Sequence, residues 1–293
     1  MKQLGESTWV LEGPANIGFI ERNNEVILID SGNDKESGRK INKILGEKNW
    51  TLKAVVNTHS NADHIGGNDY LARNLDCEIY APEIEDAFIE YPELEAAFLW
   101  GGLAVKDLRN KFFEAKPSRV TRRLKPGDEI AGGIKIIGLG GHFMNMIGVE
   151  SPDGVLFLAD CIFGEHILEK YGIPFVYDVR KYKETLRTLG SMDARYYVPS
   201  HGEITGDIAA LIEINLNLVE KVERTLVHIT AEQKTFDEIL KGVCDAFSIQ
   251  LNAGQYALVG STVKSFLTYL DDAERIGYRF EDNRMFWKSV NAE

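Results

Sequence analysis

Cysteine is scarce: Cys77, Cys161 and Cys244 are the only three in 293 residues, far apart and odd in number. They frame neither a disulfide scaffold nor a CxxC metal knuckle. Long apolar runs are missing as well. No stretch approaches the ~18 apolar residues of a membrane span, and the opening MKQLGESTWVLEGPANIG lacks the unbroken apolar core of a secretory signal. These absences make a reducing cytoplasm the expected location, with no membrane partner. Positive charge is short too, with 33 Lys and Arg against 45 Asp and Glu and a net charge of −12. A protein held to nucleic acid through phosphate contacts shows a basic face, so that partner is not expected. A small anionic substrate stays open, because a bound metal ion adds positive charge locally. Internal repeats and low-complexity tracts are also absent. What is present, 44% apolar and 27% charged residues, describes a globular chain of one large domain or a medium domain plus a small one.

The order of elements narrows this. TWVLEG, NIGFIER and EVILIDSG are short β-rich runs broken by turn residues and predict an antiparallel meander. A helix follows over DKESGRKINKILGEKNW, with Ile41, Ile44 and Leu45 at helical spacing and a start at Asp34 or Ser37. LKAVVNT, CEIYAPE, GIKIIGLGG, VESPDGVLFLAD (a hairpin about Pro152-Asp153-Gly154) and ARYYVPS continue the strands. This is an α/β or helix-flanked β-sandwich domain, drawn over residues 1–215. Residues 83–125, rich in aromatics and broken by Gly101-Gly102, interrupt it as a helical insertion. That insertion is either a hairpin packed on the core or a lid over a site. Residues 216–293 turn helical and close with two short helices, a strand, a turn at EDN and a second strand, a winged-helix-like pattern.

The chemistry concentrates after strand ends. In NTHSNADHIGG, His59, Asp63 and His64 crowd into a loop behind an apolar run, with Asn61 between them and Gly66-Gly67 allowing a tight turn into the next helix. Imidazoles and a carboxylate are the ligand set of zinc, and also of iron or manganese. His142 in GLGGHFMN, Asp160 at the end of VLFLAD and His201 at the end of YYVPSHGE occupy the same kind of position. Four of the six histidines therefore follow predicted strands, while His166 and His228 read as ordinary helix residues. One such histidine is better read as structural; the set, with two aspartates, reads as a metal site.

In this order and spacing the chain resembles the metallo-β-lactamase-fold superfamily of hydrolases, whose signature is HxHxDH followed by a His, a bridging Asp and a final His. The resemblance covers about residues 5–210. It implies an αββα sandwich with metals at one edge. It further implies that His59, residue 61 and His142 hold a first metal, that Asp63, His64 and His201 hold a second, and that Asp160 bridges them. Asn61 departs from the pattern, standing where the family has its second His. An amide oxygen is a neutral, harder and poorer zinc donor than imidazole. The expectation is one tight zinc site and a second that is weak or takes iron or manganese.

The chemistry expected is hydrolysis by metal-activated water, with Asp63 or Asp160 relaying a proton and Asn61 or Asn145 polarising an oxyanion. Cys161 is a nucleophile or soft ligand on one reading and a buried small residue on the favoured one. The winged-helix-like part resembles the appendage of some superfamily members. It carries seven Lys and Arg against ten Asp and Glu over residues 231–293, so packing, dimerising or covering the site is its expected role. Three function classes follow. The favoured one is a hydrolase of a small ester, thioester or lactone-type substrate, with a small-molecule partner and open to homodimer formation. The second is a phosphodiesterase or ribonuclease, for which KFFEAKPSRVTRRLK (Lys111 to Lys125) is the one basic stretch available. The third is a non-catalytic winged-helix regulator that binds a ligand.

Overall fold

A computed structural model describes residues 1–290 of the chain. The last three residues of the expected 216–293 unit lie outside the described part. Seven strands lie side by side in chain order in the first sheet: β1 (Lys2–Gln3), β2 (Thr8–Leu11), β3 (Ile17–Arg22), β4 (Glu25–Ile29), β5 (Thr51–Val56), β6 (Glu78–Pro82) and β7 (Arg122–Leu124). The strands from β1 to β4 pair antiparallel, as the meander predicts, and those from β4 to β7 pair parallel. The second sheet holds β8 (Glu129–Ile130), β9 (Ile134–Gly138), β10 (Ile147–Glu150), β11 (Val155–Ala159) and β12 (Tyr196–Pro199). All its pairs are antiparallel except β11 with β12.

Alternation along the strands explains why the two sheets stack. In the first sheet Ile20, Ile29 and Val56 turn inward onto Ile136, Val149, Val155 and Phe157 of the second. Their neighbours Phe19, Leu28 and Val55 turn outward, where Ile41 and Leu45 of α1 (Lys35–Lys48) and Leu71 of α3 (Asn68–Leu75) cover them. Asp34 caps α1, its carboxylate accepting from the amides of Glu36 and Ser37. The short α2 (Ala62–Ile65) lies between α1 and α3 in sequence. On the far side, Leu156 and Leu158 point away from the inter-sheet layer into a helical cluster. The arrangement is the αββα sandwich that the resemblance implied.

The insertion folds as α4 (Glu85–Glu90), α5 (Glu93–Trp100) and a 3-10 turn over Lys106–Leu108. Its last residues, however, are β7, paired with β6, so the expected all-helical insertion ends as the edge strand of the first sheet. After β11 come α6 (Glu165–Tyr171) and α7 (Val179–Leu189). Then α8 (Ala209–Ile229) leads into β13 (Lys234–Thr235), α9 (Phe236–Phe247), α10 (Ala253–Asp272) and the hairpin of β14 (Ile276–Glu281) and β15 (Arg284–Ser289). α10 begins at Ala253, where the Asn252 side chain caps it by accepting from the Gln255 amide.

The boundary drawn at residue 215 falls inside α8. Asn215 is buried there, and its side chain both accepts from the Phe163 amide and donates to the Phe163 carbonyl. A single apolar cluster joins Leu158, Tyr182 and Leu186 to Val222, Val263, Phe266 and Trp287, so the C-terminal helices complete the core of the sandwich. No helix among the described residues is long and apolar enough to cross a membrane. Phe266→Ala, which removes one of the largest fully buried side chains of this shared cluster, is expected to destabilise by about 3–5 kcal/mol. Denaturant unfolding followed by both fluorescence and far-UV dichroism should show one coincident transition, shifted as a whole.

Candidate metal centre

The edge where β4, β5, β9, β11 and β12 end gathers every polar side chain that the sequence singled out as a ligand. Two of these exits are bent. Asp30, just past β4, and Ala159, the last residue of β11, both have left-handed backbone, with φ of 60° and 51°. Such a conformation is costly for an alanine, and here it follows a register shift between β11 and β12 and precedes Asp160. The glycines of the metal loop are needed for close approach. A Cβ on Gly66 would lie 2.2 Å from the Asn33 carbonyl oxygen, and one on Gly67 would lie 2.4 Å from that of Ser31.

All four histidines present Nε2 to the centre because something else occupies Nδ1. The Thr58 hydroxyl donates to Asp30 Oδ2 at 2.8 Å, which leaves its oxygen to accept from His59 Nδ1, 3.0 Å away. His64 Nδ1 donates to the same Asp30 oxygen at 2.9 Å. His142 Nδ1 donates to the Phe175 carbonyl at 2.9 Å and His201 Nδ1 to the Pro14 carbonyl at 2.7 Å. Each partner fixes ring orientation and tautomer, the second layer that metal-binding histidines usually have. Asp30 is absent from the residues that the sequence pointed to. Its one signal is its place at the end of EVILID, the same strand-end position as the ligands.

The inward-facing atoms converge. His64 Nε2 lies 3.4 Å from Asp160 Oδ1 and 3.8 Å from Asp63 Oδ1. His201 Nε2 lies 3.2 Å from Asp63 Oδ2 and 3.4 Å from Asp160 Oδ2. His142 Nε2 lies 3.7 Å from Asp160 Oδ2 and 3.0 Å from Asn61 Oδ1. Two donors about 2.1 Å from one tetrahedral ion sit roughly 3.4 Å apart, so these spacings suit shared coordination. His59 Nε2, His64 Nε2 and Asp160 Oδ1 are buried without any hydrogen-bond partner. Unpaired lone pairs at that depth are costly, and a cation is the group that would satisfy all three. Asp160 reaches His142, His64 and His201 alike, the position of a bridging ligand. Asn61 sits on the first side with His142, and Asp63 on the second with His64 and His201.

The electrostatics divide the site in the same way. Burial, aided by the neighbouring His64, pushes His59 well below the ordinary imidazole pKa, and burial also lowers His142. Burial would lower His64 and His201 too, but the carboxylates of Asp160 and Asp63 outweigh it and raise both well above the usual value. Conversely, burial disfavours the Asp63 and Asp160 anions, yet His64 and His201 hold both carboxyls below the usual range. Carboxylates thus dominate the field on the second side, whereas the first is a set of neutral donors. Asp63 is 37% exposed and His201 15%, so the second side faces solvent while the first is enclosed.

Two acids from the insertion close it, although in sequence they look like parts of a solvated helix. Glu85 is fully buried and accepts from the Ser60 amide and hydroxyl and from the Asn145 amide, clamping the metal loop to the loop that carries His142. Glu95 accepts from Asn61 Nδ2 at 2.8 Å. Phe88 and Phe98 of the insertion stack edge-on against Phe143, next to His142. Two further residues weighed for a role are engaged elsewhere. The Asn145 side chain donates to the Glu83 carbonyl rather than serving an oxyanion. Cys161 is wholly buried in the apolar cluster, its thiol pushed well up by that burial, which fits the small buried residue of the favoured reading.

Comparison with known proteins reaches the same family: the metallo-beta-lactamase superfamily model matches residues 10–201. The chain belongs to the metallo-β-lactamase superfamily. It is 26% identical to the probable metallo-hydrolase YqjP of Bacillus subtilis, over 94% of this chain and 93% of that protein. It is 20% identical to an atrochrysone carboxyl ACP thioesterase of Aspergillus fumigatus, over 98% of this chain and 82% of that one. A solved metallo-beta-lactamase family protein from Thermus thermophilus superposes with a TM-score of 0.79 at 16% identity, covering 98% of this chain and all, 100%, of the other. The last likeness extends through the C-terminal helices and is one of fold. The protein is a metallo-hydrolase of this superfamily.

Asp30→Ala removes the acceptor that orients His64 and ties down Thr58, and is expected to weaken metal affinity by ~10–100-fold, read by competition with a chromophoric chelator. Glu85 yields a pH prediction. Burial pushes its carboxyl up to about 7 from an ordinary 4.5. The folded state therefore holds this proton more tightly than the unfolded chain, and the resulting stability is present below about pH 4.5 and lost as pH rises through about 7. Melting temperatures of wild type and Glu85→Gln between about pH 5 and 8 should show the steeper decline in wild type.

Proposed function

We propose that the protein hydrolyses a small ester, thioester or lactone-type substrate at a metal centre held by His59, Asn61, Asp63, His64, His142, Asp160 and His201. The observation that carries this reading is the set of buried, unpartnered donors, His59 Nε2, His64 Nε2 and Asp160 Oδ1, at the meeting point of the other ligands. A metal bound there would lower the pKa of a coordinated water towards about 7 and polarise the carbonyl under attack. Zinc suits the Asp63, His64, His201 and Asp160 set; the amide oxygen of Asn61 favours weaker zinc binding or a harder ion, iron or manganese, at the first position.

The chain's own residues supply the rest. Asp63, the exposed carboxylate of the cluster, is the group that can take a proton at Oδ1 and release it to solvent. Asp160, buried and touching three imidazoles, orients rather than exchanges. Phe98 and Phe175, the partly exposed rings of the aromatic group near His142, with buried Phe88 and Phe143 behind them, suit an apolar acyl portion. The fungal relative is a thioesterase, which supports the thioester among the three bond types.

The phosphodiesterase reading fares worse on a specific observation. In the basic stretch it would need, Lys111 is paired to Asp34 at 3.0 Å and Arg123 to Asp86 at 2.6 Å. The insertion residues that reach the metal loop, Glu85 and Glu95, are acids. The regulator reading would need α10 to be free for DNA, but Val259, Val263, Phe266, Leu267 and Leu270 pack into the shared core, Ala257 and Ser261 meet the insertion, and Arg275 beyond its end is tied to Glu223. A packing and site-covering role suits the C-terminal helices better.

Metal content by mass spectrometry, on protein purified without added metal, is expected to be about one ion per chain in wild type and two in Asn61→His. No metal in either would overturn the reading. Chelation should abolish hydrolysis across a thioester, ester and lactone panel, and zinc should restore it; turnover that survives full metal removal would exclude this mechanism.

A further inference from the structure

The residue that stands where the family has an imidazole is held from outside the metal loop. Asn61 Oδ1 lies 3.0 Å from His142 Nε2, and Asn61 Nδ2 donates to Glu95 Oε1 at 2.8 Å. Because the Nδ1–H of His142 is taken by the Phe175 carbonyl, its neutral ring offers only a lone pair at Nε2. Two acceptors therefore face each other across 3.0 Å, which is repulsive in water-poor surroundings unless a cation lies between them. Turning the amide over would replace that clash by an N–H···N hydrogen bond. It would also remove the ligand, since an amide NH2 has no lone pair to give a metal.

Glu95 is what opposes that turn. It is buried, 5% exposed, and burial raises its carboxyl well above the ordinary range, but Oε1 is the atom that faces Asn61 and accepts the Nδ2 N–H in either protonation state, which leaves the amide oxygen facing inward. Its helix is itself anchored: Ala96 and Leu99 of α5 pack with Leu108 and with Ala257 of α10, and the Ser261 hydroxyl of α10 donates to the Leu99 carbonyl. We propose that Glu95 is a positioning residue that locks the Asn61 amide with its oxygen toward the first metal position, so that the insertion, backed by α10, supplies what the missing histidine would have done alone. The proposal rests on the metal-binding part of the reading above and not on the substrate.

The test is a zinc titration of the metal-stripped full chain against a chromophoric chelator, with melting temperature as a control for folding. Glu95→Leu keeps bulk but removes the acceptor, and should weaken the weaker of two zinc equivalents by ~10–100-fold while sparing the tighter one. Glu95→Gln retains an acceptor oxygen and should stay within a few-fold of wild type. In the Asn61→His background Glu95→Leu should change the same equivalent no more than a few-fold, because an imidazole has no amide end to choose. An unchanged weak equivalent in Glu95→Leu overturns the proposal. So does an equal loss in the Asn61→His background, an equal loss of both equivalents, or a wild type that takes only one equivalent at any zinc concentration. A wild type that binds no zinc at all overturns the metal reading itself, a different result from a failure confined to the Glu95 variants.

Discussion

Turning four imidazole lone pairs, two carboxylates and an amide oxygen toward one small volume is the constraint on which the rest of this structure depends. Left alone, such groups would rotate to find water or each other. Here the imidazoles and the amide are held from behind, by the Asp30 carboxylate, the Thr58 hydroxyl, the Phe175 and Pro14 carbonyls, and Glu95. The sandwich provides those partners because its strands end at the same edge. The strained exits at Asp30 and Ala159 are part of the same device, since each aims a carboxylate that a regular strand would have sent elsewhere.

That holding layer reaches well beyond the sandwich. The insertion contributes Glu85, which pins the metal loop to the His142 loop, and Glu95, which sets Asn61. The insertion in turn rests on α10, and α10 belongs to the largest apolar cluster together with α7 and α8. A stretch that reads as an appendage is thus joined through buried contacts to the metal loop. The similarity of the Thermus thermophilus protein along this whole length shows that the helices recur with the sandwich in another member of the fold.

Charge separates the competing functions more firmly than fold does. A superfamily sandwich serves many substrates, so only the site itself can discriminate among them. Around this one, the insertion brings the buried acids Glu85 and Glu95 to the metal loop, and two of the six basic residues of 111–125 are paired, Lys111 with Asp34 and Arg123 with Asp86.

Much of this was legible in the linear chain. Strand alternation around Phe19-Ile20 and Leu28-Ile29, turn residues between the strands, and His and Asp placed just after strand ends were enough to set out a helix-flanked β domain with six candidate ligands; the αββα sandwich, its metal edge and the place of Asn61 came from the family resemblance. These are local signals, carried by neighbours in sequence. Asp30, Glu85 and Glu95 were not legible, although each touches the ligand set or its loop, because nothing local distinguishes a buried acid that accepts a distant N–H from a solvated one. Nor could the division at residue 215 reveal that Asn215 is clamped to Phe163 within one continuous core. The sequence by itself determined which atoms could bind a metal. Only the tertiary structure decided which way they point, because orientation is set by hydrogen-bond partners dozens of residues away.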